Sequence, residues 1–229
     1  KFEFKGFRPD LKIIGTIYAV GIPSIIMQSI GSIMTYCMNR ILIEFSSTAT
    51  AVFGVYFKLQ SFFFMPVFGL NNGITPIIAY NYGARQRKRM TKTIKLSFFV
   101  AFCLTFIGFV LFESIPQVLL GMFSASDDLL KIGIPALRTI GVHYLIAWYC
   151  IIVGTVFQAL GKAIFSMVVS IMRQLVVLIP AAYLLAKFGG LHMVWWSFPI
   201  AEIMSFIVST AFLIRIWRTV IKDIPEGHE

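Results

Sequence analysis

Uncharged polar side chains recur at helical spacing within three very apolar stretches of this 229-residue chain. On a wheel of 100° per residue, those of the first stretch fall within an arc of about 80°. They are Ser24, Gln28, Thr35 and Asn39, with Gly31 on the same face. Two further stripes consist of Gln60, Phe64, Asn71 and Thr75, and of Tyr144, Ala147, Gly154 and Gln158. Amide dipoles, hydroxyls and aromatic faces arranged in this way would suit an amphipathic cation without a fixed counter-charge.

The three stripes predict a polar cavity between the stretches that carry them. Its predicted lining is Gln28, Tyr36, Phe64, Asn71, Tyr144 and Gln158. The alternative is that the stripes hold helices together, since hydrogen bonds between membrane helices contribute typically under about 1 kcal/mol each. The sequence leaves both interpretations open.

Two pairs of oppositely charged residues lie at membrane depth, where charges are rare and informative. Glu113 and Arg138 stand at similar distances from one loop, and Arg173 and Glu202 at similar distances from another. We predict two ion pairs with a structural role. The alternative for Glu202 is ion coupling, as a carboxylate that takes up and releases a proton.

The overall composition excludes a water-soluble domain. The chain is 58% hydrophobic and only 13% charged, with a mean hydropathy of +0.84, and its apolar runs exceed the roughly 20 residues that cross a bilayer. These runs are apolar on all sides, which indicates helices rather than barrel strands. We predict an all-α, polytopic membrane protein with one six-helix lobe over residues 1–229. The predicted helices are residues 11–43, 49–82, 96–123, 129–160, 163–187 and 191–216, followed by a cytoplasmic tail over 217–229.

The positive charges predict the orientation. Most of the 20 lysines and arginines lie before the first helix, in the loop of residues 85–95 and after the sixth helix. Asp127 and Asp128 lie in a loop on the opposite side. By the positive-inside rule both termini are cytoplasmic. This topology accounts for the net charge of +10, and we expect no nucleic-acid partner.

No arrangement of residues in the sequence indicates an enzyme. The chain shows no nucleophile–base set, no phosphate-binding glycine loop and no metal-ligand spacing. We therefore expect no catalytic residues, no bound metal and no cofactor.

The stretch "MPVFGLNNGITPIIAYNYGARQRKR" resembles a helix of a known transporter family. Its glycines, prolines and final Tyr-Asn-x-Gly-Ala run, from Pro66 to Ala84, are similar to the second helix of a six-helix lobe in the multidrug and toxic compound extrusion (MATE) transporters. The stretches "GIPSIIMQ", "FQALGKA", "RQLVVLIP" and "GGLHMVWWSFPIAE" extend the resemblance over essentially the whole chain. It is closest to the bacterial branch of drug exporters.

The resemblance implies a transporter of twelve helices in two pseudo-symmetric lobes, which exports drugs against Na⁺ or H⁺ across the plasma (inner) membrane. This chain looks like the C-terminal lobe, whose partners would be the lipid bilayer, small-molecule drugs and an N-terminal six-helix lobe of the same polypeptide. Some branches carry an acid in the first helix of this lobe, where this chain has only amides such as Gln28 and Asn39. The resemblance therefore implies that the coupling ion binds mainly in the N-terminal lobe. Glu202 stands where relatives often have Asp.

Two other functions remain as alternatives. One is a flippase of lipids or lipid-linked oligosaccharides from the same broad superfamily, which would need a strongly cationic cavity for a pyrophosphate headgroup. The other is a truncated six-helix scaffold that does not transport.

Overall fold

The chain is folded entirely from helices over the residues that the computed structural model describes, 10–225. The predicted all-α fold class is confirmed. The cations Lys1, Lys5 and Arg8, and the end of the predicted tail at residues 226–229, lie outside the described residues.

Nine α-helices and two π-helical stretches make up the described part of the chain. They are α1 (Leu11–Ile43), α2 (Ser47–Gly83), α3 (Arg87–Ser114), α4 (Pro116–Gly121), α5 (Asp127–Gly141), α6 (Tyr144–Ala159), α7 (Ala163–Ile171), the π stretch Met172–Leu178, α8 (Ile179–Val194), α9 (Ser197–Ile216) and the π stretch Trp217–Ile221. Five helical spans are long and apolar enough to cross a membrane, and the bent pair α5–α6 makes a sixth. The protein is therefore a multi-pass membrane protein.

The third predicted helix differs from the structure at both ends. It begins at Arg87 rather than at residue 96, because the basic residues before the apolar run continue the same helix. It ends at Ser114, and Pro116 begins the short helix α4. Pro116 stands in the first turn of α4, where a proline fits well because its missing N–H would have no helical partner there.

The fourth predicted helix is two helices joined at an angle of 51°. The break falls at Val142 and His143, and the ring nitrogen Nδ1 of His143 donates to the carbonyl oxygen of Ile140 at 2.6 Å. The backbone N–H of His143 donates to the same oxygen at 3.0 Å, so two groups of this residue satisfy a carbonyl at the end of α5, where the chain changes direction.

A π stretch interrupts the fifth span and carries Arg173 and Gln174. Pro180 follows it in the first turn of α8. The chain kinks within α8 at Gly190, whose φ of 70° lies in the left-handed region that favours glycine. Gly161 has the same φ and makes the turn between α6 and α7.

The helices enclose two hydrophobic clusters. One surrounds the end of α1 and the start of α2, where Leu42, Phe53 and Trp195 are buried. The other lies towards the turn between α2 and α3, with Ile78, Met90 and Phe157. Many other large apolar side chains stay exposed on the outer surface, as expected for a surface that contacts lipid.

Candidate functional site

A large open cleft lies between α1, α2, the end of α6 and the fifth span. Its volume is about 1110 Å³. Its wall is formed by Ser24, Met27, Gln28, Gly31, Ser32, Thr35, Tyr36 and Asn39 of α1, by Phe57, Phe68, Asn71, Asn72 and Thr75 of α2, by Thr155 and Gln158 of α6, and by Ser170, Arg173 and Gln174 of the fifth span. Uncharged polar groups dominate this wall. Arg173 is the one charged side chain on it among residues 10–225.

Local hydrogen bonds fix the hydroxyls of the wall and leave its amides available. Thr35 and Thr75 donate to the carbonyl oxygens of Gly31 and Asn71, one turn earlier in their own helices. The side-chain oxygen Oδ1 of Asn71 is buried and has no hydrogen-bond partner within the described part of the chain. Both amide and hydroxyl oxygens can thus accept a hydrogen bond from a ligand in the cleft.

Four of the six residues predicted to line a common cavity do line this cleft. They are Gln28, Tyr36, Asn71 and Gln158. Tyr36 is 66% exposed, so most of its ring faces outward.

Phe64 does not line the cleft. It lies on the wall of a smaller cavity of about 280 Å³, together with Gln60, His143, Arg173 and Glu202; we call this cavity the side pocket. Phe64 precedes Asn71 by seven residues, which is about 10 Å along a helix. Both residues share a face of α2, but they stand at different depths.

Tyr144 does not line this cleft, in contrast to the prediction. Its side chain is fully buried, with its ring centre 4.9 Å from that of Phe64 and 5.1 Å from that of Phe112. It shares a face of α6 with Gln158 but stands about 21 Å further along the axis. At that depth aromatic rings fill the space between the helices.

The fifth span contributes to the cleft, although the prediction placed the cavity between the first, second and fourth helices only. Ser170, Arg173 and Gln174 lie on its wall. The sequence carries a signal for this, because Ser166, Ser170 and Arg173 recur at helical spacing. Arg173 lines both the cleft and the side pocket.

Arg173 and Glu202 form the ion pair expected from the sequence. The nitrogen Nη1 of Arg173 lies 3.3 Å from the oxygen Oε2 of Glu202. The Glu202 side chain is 3% exposed and that of Arg173 is 33% exposed. The carboxylate is therefore sealed in the protein, whereas the guanidinium reaches the cleft.

Glu113 and Arg138 also approach each other, but far more loosely. The nitrogen Nε of Arg138 lies 4.0 Å from the oxygen Oε2 of Glu113, and the two side chains are 54% and 38% exposed. Such an exposed, distant pair contributes little to stability. It borders neither the cleft nor the side pocket.

Comparison with known proteins identifies the family. The sequence profile of the MatE family matches residues 23–184. The multidrug export protein MepA of Staphylococcus haemolyticus (strain JCSC1435) is 29% identical over 212 residues, which are 88% of this chain and 44% of that protein. MepA of Staphylococcus aureus (strain MSSA476) is 25% identical over 197 residues, 85% of this chain and 43% of its own length. The chain thus spans less than half the length of these curated relatives.

Solved structures show the same fold. The MATE multidrug transporter DinF-BH in complex with R6G has a TM-score of 0.81 and 32% identity, covering 94% of this chain and 49% of that one. A MATE transporter in complex with MaL6 has a TM-score of 0.86 and 23% identity, covering 97% and 50%. Each match covers about half of a solved transporter, so the fold corresponds to one lobe. Because the family profile extends over most of its length, this chain belongs to the MatE family of multidrug and toxic compound extrusion transporters.

Proposed function

We propose that this chain is the C-terminal lobe of an exporter for amphipathic, often cationic drugs. The observation that carries the proposal is the open cleft of about 1110 Å³ with its amide, hydroxyl and aromatic wall. Contacts with such groups are each worth about 0.5–2 kcal/mol. Weak, non-directional contacts favour a broad range of ligands over a single one. The drug-export names of the relatives support the same function.

The exporter works by alternating access, with Na⁺ or H⁺ as the coupling ion. In this proposal the lobe rocks against an N-terminal six-helix lobe of the same polypeptide, around a cleft that they share. No Asp or Glu of residues 10–225 lies on the cleft wall. The absence of a carboxylate there supports a coupling site mainly in the N-terminal lobe.

The lipid or oligosaccharide flippase is not favoured. A pyrophosphate headgroup needs several cations, and the described residues place one cation on the cleft wall, Arg173, which is paired with Glu202. The scaffold alternative gives no reason for a polar cleft of this size.

The cleft residues give a direct test of drug export. Gln158→Leu removes an exposed amide from the cleft wall and keeps a similar side-chain volume. In cells that produce the complete polypeptide, we expect it to change the relative resistance to different drugs while protein abundance stays normal. Resistance profiles and immunoblots measure the two quantities.

Gln117→Leu is the matched control, because Gln117 is exposed in α4 and is not on the cleft wall. It should leave the resistance profile unchanged. If Gln158→Leu lowers resistance to every drug equally and in proportion to lost protein, the stripe serves packing and the cleft does not select drugs.

The exporter lies in the plasma membrane with both termini in the cytoplasm. In support, the loop between α2 and α3 lies beside the end of the described chain. Arg87 donates through Nη1 to the carbonyl oxygen of Lys222 at 2.9 Å, and its backbone N–H donates to that of Pro225 at 3.3 Å. This arrangement supports a topology in which the basic loop and the end of the chain after α9 share one side of the membrane.

The topology predicts which positions a membrane-impermeant thiol reagent reaches. In a variant without native cysteines, Asp127→Cys should be labelled from outside intact cells, because its loop is external. Arg85→Cys should be labelled only after the cells are opened. Labelling of Arg85→Cys in intact cells would show that the basic loop is external and would reverse the orientation.

A further inference from the structure

A third cavity, which we call the polar chamber, lies beside the cleft between α2, α6, α7 and α9. Its volume is about 190 Å³. Its polar wall includes Asn71, Gln158, Ser170, Arg173, Ser205 and Ser209. None of the acidic residues between positions 10 and 225 belongs to this wall. The chamber thus combines one guanidinium with amides and hydroxyls.

Two serine hydroxyls of the chamber lack the hydrogen bonds that buried hydroxyls require. Ser205 and Ser209 are each 1% exposed, and the oxygen Oγ of each has no partner among the described residues. They stand four residues apart on α9, so they share one face of that helix. The thiol of Cys150, also on the wall, lies close to Ser205, but a thiol is a weak hydrogen-bonding group and leaves that hydroxyl poorly satisfied. Unpaired buried hydroxyls are unfavourable, which points to a ligand that accepts their hydrogen bonds.

The guanidinium of Arg173 has donors to spare for such a ligand. It has five N–H donors, and Glu202 is its one hydrogen-bond partner in the described part of the chain, through a single nitrogen. Glu202 lies on the wall of the side pocket and not on that of the chamber. Arg173 therefore lines both cavities: it pairs with Glu202 on the wall of the side pocket and presents its other donors to the chamber.

The hydrogen-bond donors on the chamber wall indicate the sign of the ligand's charge. A guanidinium only donates, and serine hydroxyls and side-chain amides can all turn a hydrogen towards an acceptor. A cation in the chamber would lie close to Arg173 without a carboxylate on the wall to balance it. An anionic group, by contrast, would accept charge-assisted hydrogen bonds from Arg173 and neutral ones from the two serines.

We propose that the polar chamber binds a monovalent anionic group. Two sources share this chemistry, the carboxylate of an amphipathic ligand and free chloride. The carboxylate source rests on the proposed drug-export function: Asn71, Gln158, Ser170 and Arg173 line both chamber and cleft, so a ligand with its rings in the cleft places its carboxylate in the chamber. The chloride source does not depend on that function.

A pair of dyes tests the carboxylate source. The two xanthene dyes have the same cationic ring system, one with a free carboxylate and the other with its ethyl ester. In the purified complete polypeptide, with a bulky organic sulfonate as the buffer anion, the acid should bind about tenfold more tightly than the ester, as a charge-assisted hydrogen bond provides. Fluorescence anisotropy gives both dissociation constants.

The serines provide a variant and a matched control. Combining Ser205→Ala with Ser209→Ala should abolish the preference for the acid, and it should not harm folding because it removes two unpaired hydroxyls. Ser197→Ala is the control, since Ser197 is also on α9, fully buried and without a hydrogen-bond partner among the described residues, but is not on the chamber wall. This control should keep the preference.

Thermal unfolding tests the chloride source. If chloride occupies the chamber, replacing the sulfonate by chloride at constant ionic strength should raise the Tm of the unaltered protein and of Ser197→Ala, but not of the double serine variant. That result supports an anion site even if neither dye binds. Failure of both dyes to bind would count only against the export of this class of dyes. If the two dyes bind equally and chloride leaves the Tm unchanged, the chamber holds only water and the proposal is overturned.

Discussion

Arg173→Gln is expected to destabilise the protein by about 3 kcal/mol, and Glu202→Gln by clearly less. Removing one partner of a buried ion pair leaves the other charge uncompensated, at a cost of about 3–5 kcal/mol when that charge is sealed from water. Glu202 is sealed, with 3% of its side chain exposed, whereas Arg173 is 33% exposed and reaches the cleft. The orphaned guanidinium can therefore be hydrated far more readily than the orphaned carboxylate.

The double variant distinguishes this pairing from two independent effects. With Arg173→Gln and Glu202→Gln combined, no charge remains, and we expect it to be more stable than Arg173→Gln alone. Chemical or thermal unfolding in mild detergent, with abundance as a second readout, measures the coupling between the two positions. Strictly additive losses would show that the two side chains do not interact.

Glu113 and Arg138 provide a matched control at similar membrane depth. Their closest atoms are 4.0 Å apart and both side chains are substantially exposed. The same pair of glutamine replacements should therefore show a coupling under about 1 kcal/mol. A coupling as large as that of Arg173 and Glu202 would mean that burial does not set the strength of these pairs.

The sequence contains enough information to predict pairs of this kind and the overall class. Hydrophobic runs longer than a bilayer is thick can only be helical, so the all-α class and six spans follow from composition. The number of residues between a side chain and the nearest loop indicates its depth in the membrane. Arg173 and Glu202 have similar depths by this count, which is why an ion pair between them was expected. The tight packing around Glu202, which makes this pair the stronger one, depends on neighbours from other helices and cannot be counted along one segment.

Interruptions within the spans were not predictable from hydropathy. An apolar run reads as continuous across Ile115 and across Val142, where the chain in fact breaks. Pro116 stands at the start of the helix that follows the first break, and His143 bonds the carbonyl of Ile140 at the second. A proline or a histidine is present in the sequence, but whether it breaks or merely bends a helix depends on what neighbouring helices supply.

The sequence identifies the helix faces that line the cleft, but it does not show at which position along each helix the cleft is open. A helical wheel projects each residue onto a circle, so Gln158 and Tyr144 coincide although one lies at the cleft and the other among aromatic rings. The same projection grouped Phe64 with Asn71. Only the packed structure shows which level of each stripe is open, and it adds Ser170, Arg173 and Gln174 from the fifth span.

Substitutions of Tyr144 test whether this residue packs the core or contacts a ligand. Its ring is expected to stabilise the protein, whereas its hydroxyl is not. The ring is fully buried and packs between those of Phe64 and Phe112. A Cβ atom added to Gly108 would lie 3.3 Å from its atom Cε1, so the ring lies close against the backbone of α3. The hydroxyl, however, has no hydrogen-bond partner in the described part of the chain.

Tyr144→Ala should therefore destabilise the protein by about 3–5 kcal/mol, the usual cost of emptying a buried aromatic site. Tyr144→Phe should leave stability unchanged or slightly higher, because it removes a buried polar atom without a partner and keeps the ring. Tyr56→Phe is the matched control, since Tyr56 is also fully buried with an unpartnered hydroxyl, and it should behave in the same way. Unfolding in detergent measures stability, and resistance profiles in cells measure drug selection, which Tyr144→Phe should not alter. A changed drug profile for Tyr144→Phe at normal abundance would mean that its hydroxyl reaches the ligand during transport, and the residue would return to the lining of the cleft.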